Sequence, residues 1–219
     1  MKSNTNSILA LLYTDLKLFL TIPYFIVLIL FSAISYFIPF SHCFIQLFLC
    51  FIIIFFFKSD IFRKCLSATP FMPYKPSEVV TEKYLFALIS YLLFSIPSLI
   101  ANFICVCKYI AYSGNRELLS SFIFLTAASI PVALIFFALS LPLNILHRLN
   151  LGNMNGFEFI DFLAGSAAFS LEIWLCVMQF IDPPIALITA LIIFPVSLIL
   201  VVISYIITRK KYPRTDILN

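Results

Sequence analysis

Between Leu18 and Phe57 the sequence is an almost unbroken run of apolar residues. As one α-helix at 1.5 Å per residue it would reach about 60 Å, twice the roughly 30 Å hydrocarbon core of a bilayer. Such a run must fold back on itself. The reversal is expected at Ile38-Pro39-Phe40-Ser41-His42, because proline disrupts a helix interior and Ser41 can cap the helix that follows. Four more apolar runs follow, from about Tyr84 to Cys107, Leu118 to Leu143, Phe157 to Phe180 and Pro184 to Ile207. Six spans at about 20 residues each use roughly 120 residues, leaving little of the 219 for a separate soluble domain. Only 11% of the residues are charged, against about 25% in an ordinary soluble domain. The chain reads as an all-α polytopic membrane protein, one transmembrane domain over residues 1–219.

The charges test that layout, since cytoplasmic segments hold the excess of Lys and Arg. One side carries Lys2, Lys17, Lys58, Arg63, Lys64, Lys75, Lys83, Arg148, Arg209, Lys210, Lys211 and Arg214, and the other only Lys108 and Arg116. Twelve against two puts both termini inside, which an even number of spans requires. The net charge of +4 is thereby a topological signal; the basic residues lie in short segments between apolar runs, not on a solvated nucleic-acid-binding face. No removed signal peptide is expected at the N-terminus. Six cysteines (Cys43, Cys50, Cys65, Cys105, Cys107 and Cys176) lie mostly in or beside the spans and read as free thiols, with a bridge from Cys43 to Cys105 or Cys107 as the alternative.

Two segments differ from plain membrane helix at the cytoplasmic side. Residues 1–17 mix Ile8, Leu9, Leu11, Leu12 and Leu16 with Asn6, Ser7, Thr14, Asp15 and Lys17, and suit either an interfacial helix or an extension of the first span. The loop 58–83 opens with a short amphipathic helix. Asp60 or Ser59 can cap it; Ile61, Phe62, Cys65 and Leu66 share one stripe, and Arg63 and Lys64 lie opposite. Pro70, Pro73 and Pro76 then forbid regular helix until Ser77, after which Glu78 and Glu82 favour a helix N-terminus. The loop either docks on a protein or rests on lipid headgroups.

Within the spans, Pro97, Pro131 and Pro195 each remove one backbone hydrogen bond, as common membrane-helix prolines or as hinges. Three acids lie in the fifth span: Glu158, Asp161 and Glu172. At 100° per residue, Glu158, Asp161, Gly165, Ala168, Phe169, Glu172, Cys176 and Gln179 fall within an arc of about 100°, a small, polar and acidic face. An intramembrane ionisable residue is costly unless it faces protein or water, so Asp161, Glu172 and Gln179 are candidates for a substrate path or subunit interface. Asp161 pairing with Arg148, and a protonated Glu172 packed on polar side chains such as Asn102, are the plainer alternatives.

The catalytic alternatives are poorly provided for. The four glycines (Gly114, Gly152, Gly156 and Gly165) cannot assemble a phosphate loop, so any ATP is bound by another chain. His42 and His147, the two histidines, cannot form an H-E-x-x-H zinc site. An intramembrane enzyme would have to use Glu158, Asp161 and Glu172, which all lie on one helix. A six-span substrate-binding subunit of a vitamin importer is a third reading, but the first span lacks an evident small-residue docking face.

Three runs carry a family resemblance: Leu11-Leu12-Tyr13-Thr14-Asp15-Leu16-Lys17, the loop run Met72-Pro73-Tyr74-Lys75-Pro76-Ser77-Glu78-Val79-Val80-Thr81-Glu82-Lys83-Tyr84-Leu85, and Leu139-Ser140-Leu141-Pro142-Leu143. Together they make the chain resemble ABC-2 type permeases, in particular the compact six-span permeases of bacterial peptide and toxin exporters such as the phenol-soluble modulin exporters. In place of the family's usual Leu-Pro pair the chain has Met72-Pro73, and Pro76 is added. The resemblance implies a type V exporter-like architecture in a bacterial cytoplasmic membrane. It implies no cofactor in this chain, with ATP and Mg held by a separate ATPase subunit present in two copies. A second permease, expected to be identical, would complete the complex. Asp60, Ile61, Phe62, Arg63, Lys64 and Leu66 would then form the coupling helix that docks in the ATPase, and the cargo would be an amphipathic peptide.

Overall fold

The computed structural model describes residues 5–20, 22–58, 76–147 and 155–211. Those residues form seven α-helices and no strand: α1 (Thr5–Phe19), α2 (Ile22–Phe37), α3 (His42–Lys58), α4 (Pro76–Ser113), α5 (Glu117–His147), α6 (Asn155–Ile181) and α7 (Pro183–Lys211). Four of them, α4 to α7, are long and apolar enough to cross a membrane. The first hairpin is shorter than expected. α2 and α3 have 16 and 17 residues, about 24–26 Å of helix against the roughly 30 Å of a hydrocarbon core. The missing length went to α1, which runs through Lys17 and Leu18 to Phe19. α1 ends at Phe19 and α2 opens at Ile22, with Pro23 in its first turn, where its absent N–H leaves no bond unmade.

Tight connections join the helices at one end of the bundle, here the turn end. α2 and α3 reverse through residues 38–41, with Phe40 in the left-handed region at φ 63°. Ser41 occupies the residue before α3, but its hydroxyl donates to the Ile38 carbonyl at 2.7 Å instead of capping an N–H. Gly114, at φ 72°, closes α4 by donating its N–H to the Ile110 carbonyl, and Asn115 Oδ1 accepts the Glu117 N–H at the start of α5. α6 passes into α7 through Asp182 alone. Its carboxylate accepts the Ile185 N–H while Pro183 opens the next helix. At the opposite end, the loop end, α3 finishes at Lys58, α4 begins at Pro76, α5 finishes at His147 and α6 begins at Asn155.

α5 is the centre of the bundle and packs against α3, α4, α6 and α7. Of its most apolar window 56% is buried, against 11% for α7, whose Leu191, Ile192, Ile199 and Val202 point outward. α5 and α4 run helical through Pro131, Pro142 and Pro97, as α7 does through Pro195. α1 joins the bundle along Leu12, Asp15 and Phe19, a stripe at helical spacing, while Leu9 and Tyr13 face out. Phe19 is its anchor: the ring lies 5.1 Å from Phe56, 5.7 Å from Phe86 and 5.1 Å from Phe94, edge-on to the first two. α6 seats on α3 where it has no side chain, since a Cβ on Gly165 would lie 2.1 Å from Phe51 Cζ.

Candidate functional site

The polar side chains that α4 buries form a column that meets α1 and α7 at the loop end, α3 midway and the α2–α3 reversal at the other end. Along α4 its members recur at helical spacing, Lys83 and Tyr84, Tyr91, Ser95, Ser98 and Asn102, so one face of the helix is polar through its length. Each is costly in hydrocarbon without a partner.

At the loop end, α1 meets the first turns of α4 through charge. Lys83 Nζ pairs with Asp15 of α1 and lies 2.7 Å from Glu82 Oε2. All three groups are buried, with Glu82 fully so. These turns also hold α7: Tyr84 Oη lies 2.6 Å from Ser204 Oγ and 3.1 Å from Thr208 Oγ1, and Thr81 Oγ1 lies 2.9 Å from Tyr205 Oη. In sequence, Asp15 and Lys83 belong to two of the runs that carry the family resemblance. The fold makes them one contact.

Midway, Gln46 Oε1 of α3 accepts hydrogen bonds from Tyr91 of α4, at 3.2 Å, and Ser129 of α5. At the turn end Asn102 saturates its amide. Its two Nδ2 hydrogens go to the carbonyls of Ser35 and Ile38, both at 2.8 Å, with Ser41 Oγ also 3.2 Å from that nitrogen; its Oδ1 accepts the Phe40 N–H at 3.1 Å and faces His42 Nδ1 at 2.9 Å. Asn102 thus locks the α2–α3 reversal, and its donors are committed there instead of to Glu172.

The acidic stripe of α6 turns inward. Asp161 is buried and accepts hydrogen bonds from Asn144 Nδ2 at 3.2 and 3.1 Å. Glu172 is 2% exposed, and a carboxylate oxygen lies within 4.8 Å of the thiols of both Cys43 and Cys176. Gln179 is half-buried and donates to Ser121 Oγ at 3.5 Å. The structure therefore sets Asp161, Glu172 and Gln179 against α3 and α5 of the same chain. Asp161 and Glu172 lie about 16 Å apart along the helix, too far to share a proton as a catalytic pair. The side chains of Glu158 and Arg148 fall outside the described residues. So do Asp60, Ile61, Phe62, Arg63, Lys64 and Leu66, the expected coupling helix. Cys43, Cys50, Cys105, Cys107 and Cys176 are free thiols.

Sequence reasoning had not marked Glu82, Lys83, Gln46 or His42 as a site. The available signal was their polarity inside apolar helices, but nothing linear says which of them meet. No curated protein and no solved structure matches the chain. A family model described as ABC-2 family transporter protein matches residues 10–213, which takes in all seven helices but the first turn or so of α1. The chain therefore belongs to the ABC-2 transporter family and is a multi-pass membrane component of an ABC transporter.

Proposed function

We propose that this chain is the permease subunit of an ATP-driven exporter of amphipathic peptides, working as two permease copies with two copies of a separate ATPase. The reading is carried by one observation: a member of the ABC-2 family whose 219 residues offer no phosphate-binding loop draws its energy from an ATPase outside them. The receiving element is the segment 58–83, the longest polar stretch between apolar runs. Asp60, Ile61, Phe62, Arg63, Lys64 and Leu66 form the coupling helix within it.

The segment leads directly into the first turns of α4, where Lys83 is paired with Asp15 and Tyr84 with α7. A push on the loop by a closing ATPase pair would move α4, α1 and α7 together, because a broken buried ion pair is far costlier than a shifted helix. Binding of nucleotide then biases the bundle between two states. Both termini lie in the cytoplasm, the reading the twelve-to-two division of Lys and Arg supports, and the resemblance to bacterial exporters supports a bacterial cytoplasmic membrane. The chain crosses six times, with the short α2 and α3 spanning a locally thinned bilayer. The peptide cargo rests on the resemblance to modulin-type exporters.

The test is co-purification from the native host in mild detergent. Wild-type chain brings down a stoichiometric ATPase whose hydrolysis rises with added cationic amphipathic peptides, and an Ile61→Asp/Phe62→Asp variant elutes without it. Retention of the ATPase by that variant would refute the docking assignment. Elution of wild-type chain alone, under conditions that preserve a known ABC complex, would refute the exporter reading.

A further inference from the structure

Glu172 is buried among thiols. It stands one helical turn before Cys176 on α6 and faces Cys43 in the first turn of α3; the two Sγ atoms and a carboxylate oxygen all lie within 4.8 Å of one another. Cys43 is fully buried and Glu172 2% exposed. Among the described residues Glu172 forms no ion pair, and the amide of Asn102 is spent on the α2–α3 turn. A carboxylate with thiols for neighbours is costly in an apolar interior unless its charge is neutralised. Two thiols and a carboxylate converging from two helices are also the donor set of a thiophilic divalent cation.

A further donor adjoins Cys43, outside the 4.8 Å cluster of the other three. His42 Nε2 lies 3.5 Å from Cys43 Sγ. In a tetrahedral zinc site, with Zn–S near 2.3 Å and Zn–N near 2.0–2.1 Å, the sulfur-to-nitrogen edge measures about 3.6 Å. The Asn102 network also decides which ring nitrogen is available. Because its amide donors go to two carbonyls, Oδ1 faces His42 Nδ1, so Nδ1 carries the proton and Nε2 keeps its lone pair beside Cys43. Thr126 Oγ1, 3.0 Å from the same Nε2, has an alternative acceptor in the Phe122 carbonyl at 2.8 Å, to which its hydroxyl can turn.

We infer that Cys43, Glu172 and Cys176, with His42 as fourth donor, form a binding site for a divalent cation of the zinc class. The ion would staple α3 to α6 near the turn end. Binding requires the donor atoms to close to edges of about 3.3–3.8 Å, with His42 turning toward the group, and the thiol protons and any proton on the Glu172 carboxyl leave to solvent as the ion binds.

The experiment uses the full-length chain in detergent with reductant, stripped by chelator and titrated with Co²⁺ alone as an optical probe, then with Zn²⁺ in competition. One equivalent with a thiolate-to-cobalt charge-transfer band is expected, abolished in Cys43→Ser/Cys176→Ser, at least tenfold weaker in Glu172→Gln, and unchanged in Cys50→Ser/Cys107→Ser. Since the paired serine variant can misfold, wild-type chain is also alkylated with and without Zn²⁺. Zinc should slow labelling of Cys176 at least tenfold while leaving exposed Cys107 unaffected. Absence of the thiolate band, equal labelling rates, or a Cys43–Cys176 disulfide in protein thiol-blocked at lysis would each overturn the assignment.

Discussion

Removing Lys83 should be among the most damaging single substitutions in this chain. The ammonium is set between Asp15 on α1 and Glu82 on its own helix; Lys83 and Asp15 are each 5% exposed and Glu82 is fully buried. The one ammonium serves Asp15 and Glu82, so Lys83→Met keeps the aliphatic stem but leaves both carboxyl groups without a cation in an apolar interior. Breaking a buried pair by deleting one partner costs about 3–5 kcal/mol, at least 150-fold in the folding equilibrium. Asp15→Asn is milder. It leaves a one-to-one Lys83–Glu82 pair and an amide oxygen that still accepts, so the loss is one charge-assisted bond, about 1.5–3 kcal/mol. The double variant leaves Glu82 alone, to be protonated, so the two losses should not add, with a coupling of at least about 1 kcal/mol. Unfolding by SDS titration, followed by fluorescence of Trp174, the one tryptophan, reads all four proteins of the cycle. Additivity within about 0.5 kcal/mol, or Lys83→Met no worse than Asp15→Asn, would refute the claim that this pair joins α1 to α4.

Other substitutions probe the remaining contacts. Gly165→Leu drives a side chain into the Phe51 ring and should cost about 1–3 kcal/mol in the same titration; the loss should shrink in a Phe51→Ala background and would persist there if the α3–α6 approach were not the cause. Asn102→Leu strands the Phe40 N–H, the Ser35 carbonyl and His42 Nδ1, while the Ile38 carbonyl keeps the Ser41 hydroxyl, at about 1–3 kcal/mol for each group left unpaired. Asn102→Asp retains the acceptor contacts alone and should do no better, whereas wild-type stability in either variant would show that the turn holds without this residue.

The linear sequence determined that the chain is helical and membrane-embedded, where the first hairpin reverses, and which family it belongs to. Hydropathy, proline position and charge asymmetry are properties of neighbours along the chain, and each is set by transfer free energy or local sterics. It also placed Asp161, Glu172 and Gln179 on one face of one helix, because 100° per residue is arithmetic. The length of α2 was not legible, since ending α1 at Phe19 and opening α2 at Ile22 inside an apolar run changes no hydropathy. What those acids face was not legible either. Whether Glu172 meets a path, a lipid or two thiols depends on how α3 and α6 approach, and that approach is set by Gly165 against Phe51, residues 114 positions apart in sequence. Lys83 could be read only as a basic residue near a helix start until the fold brought Asp15 of α1 onto it. Partner choice among buried polar groups is a property of packing. A helix periodicity names the face, and only the tertiary structure names what lies across from it.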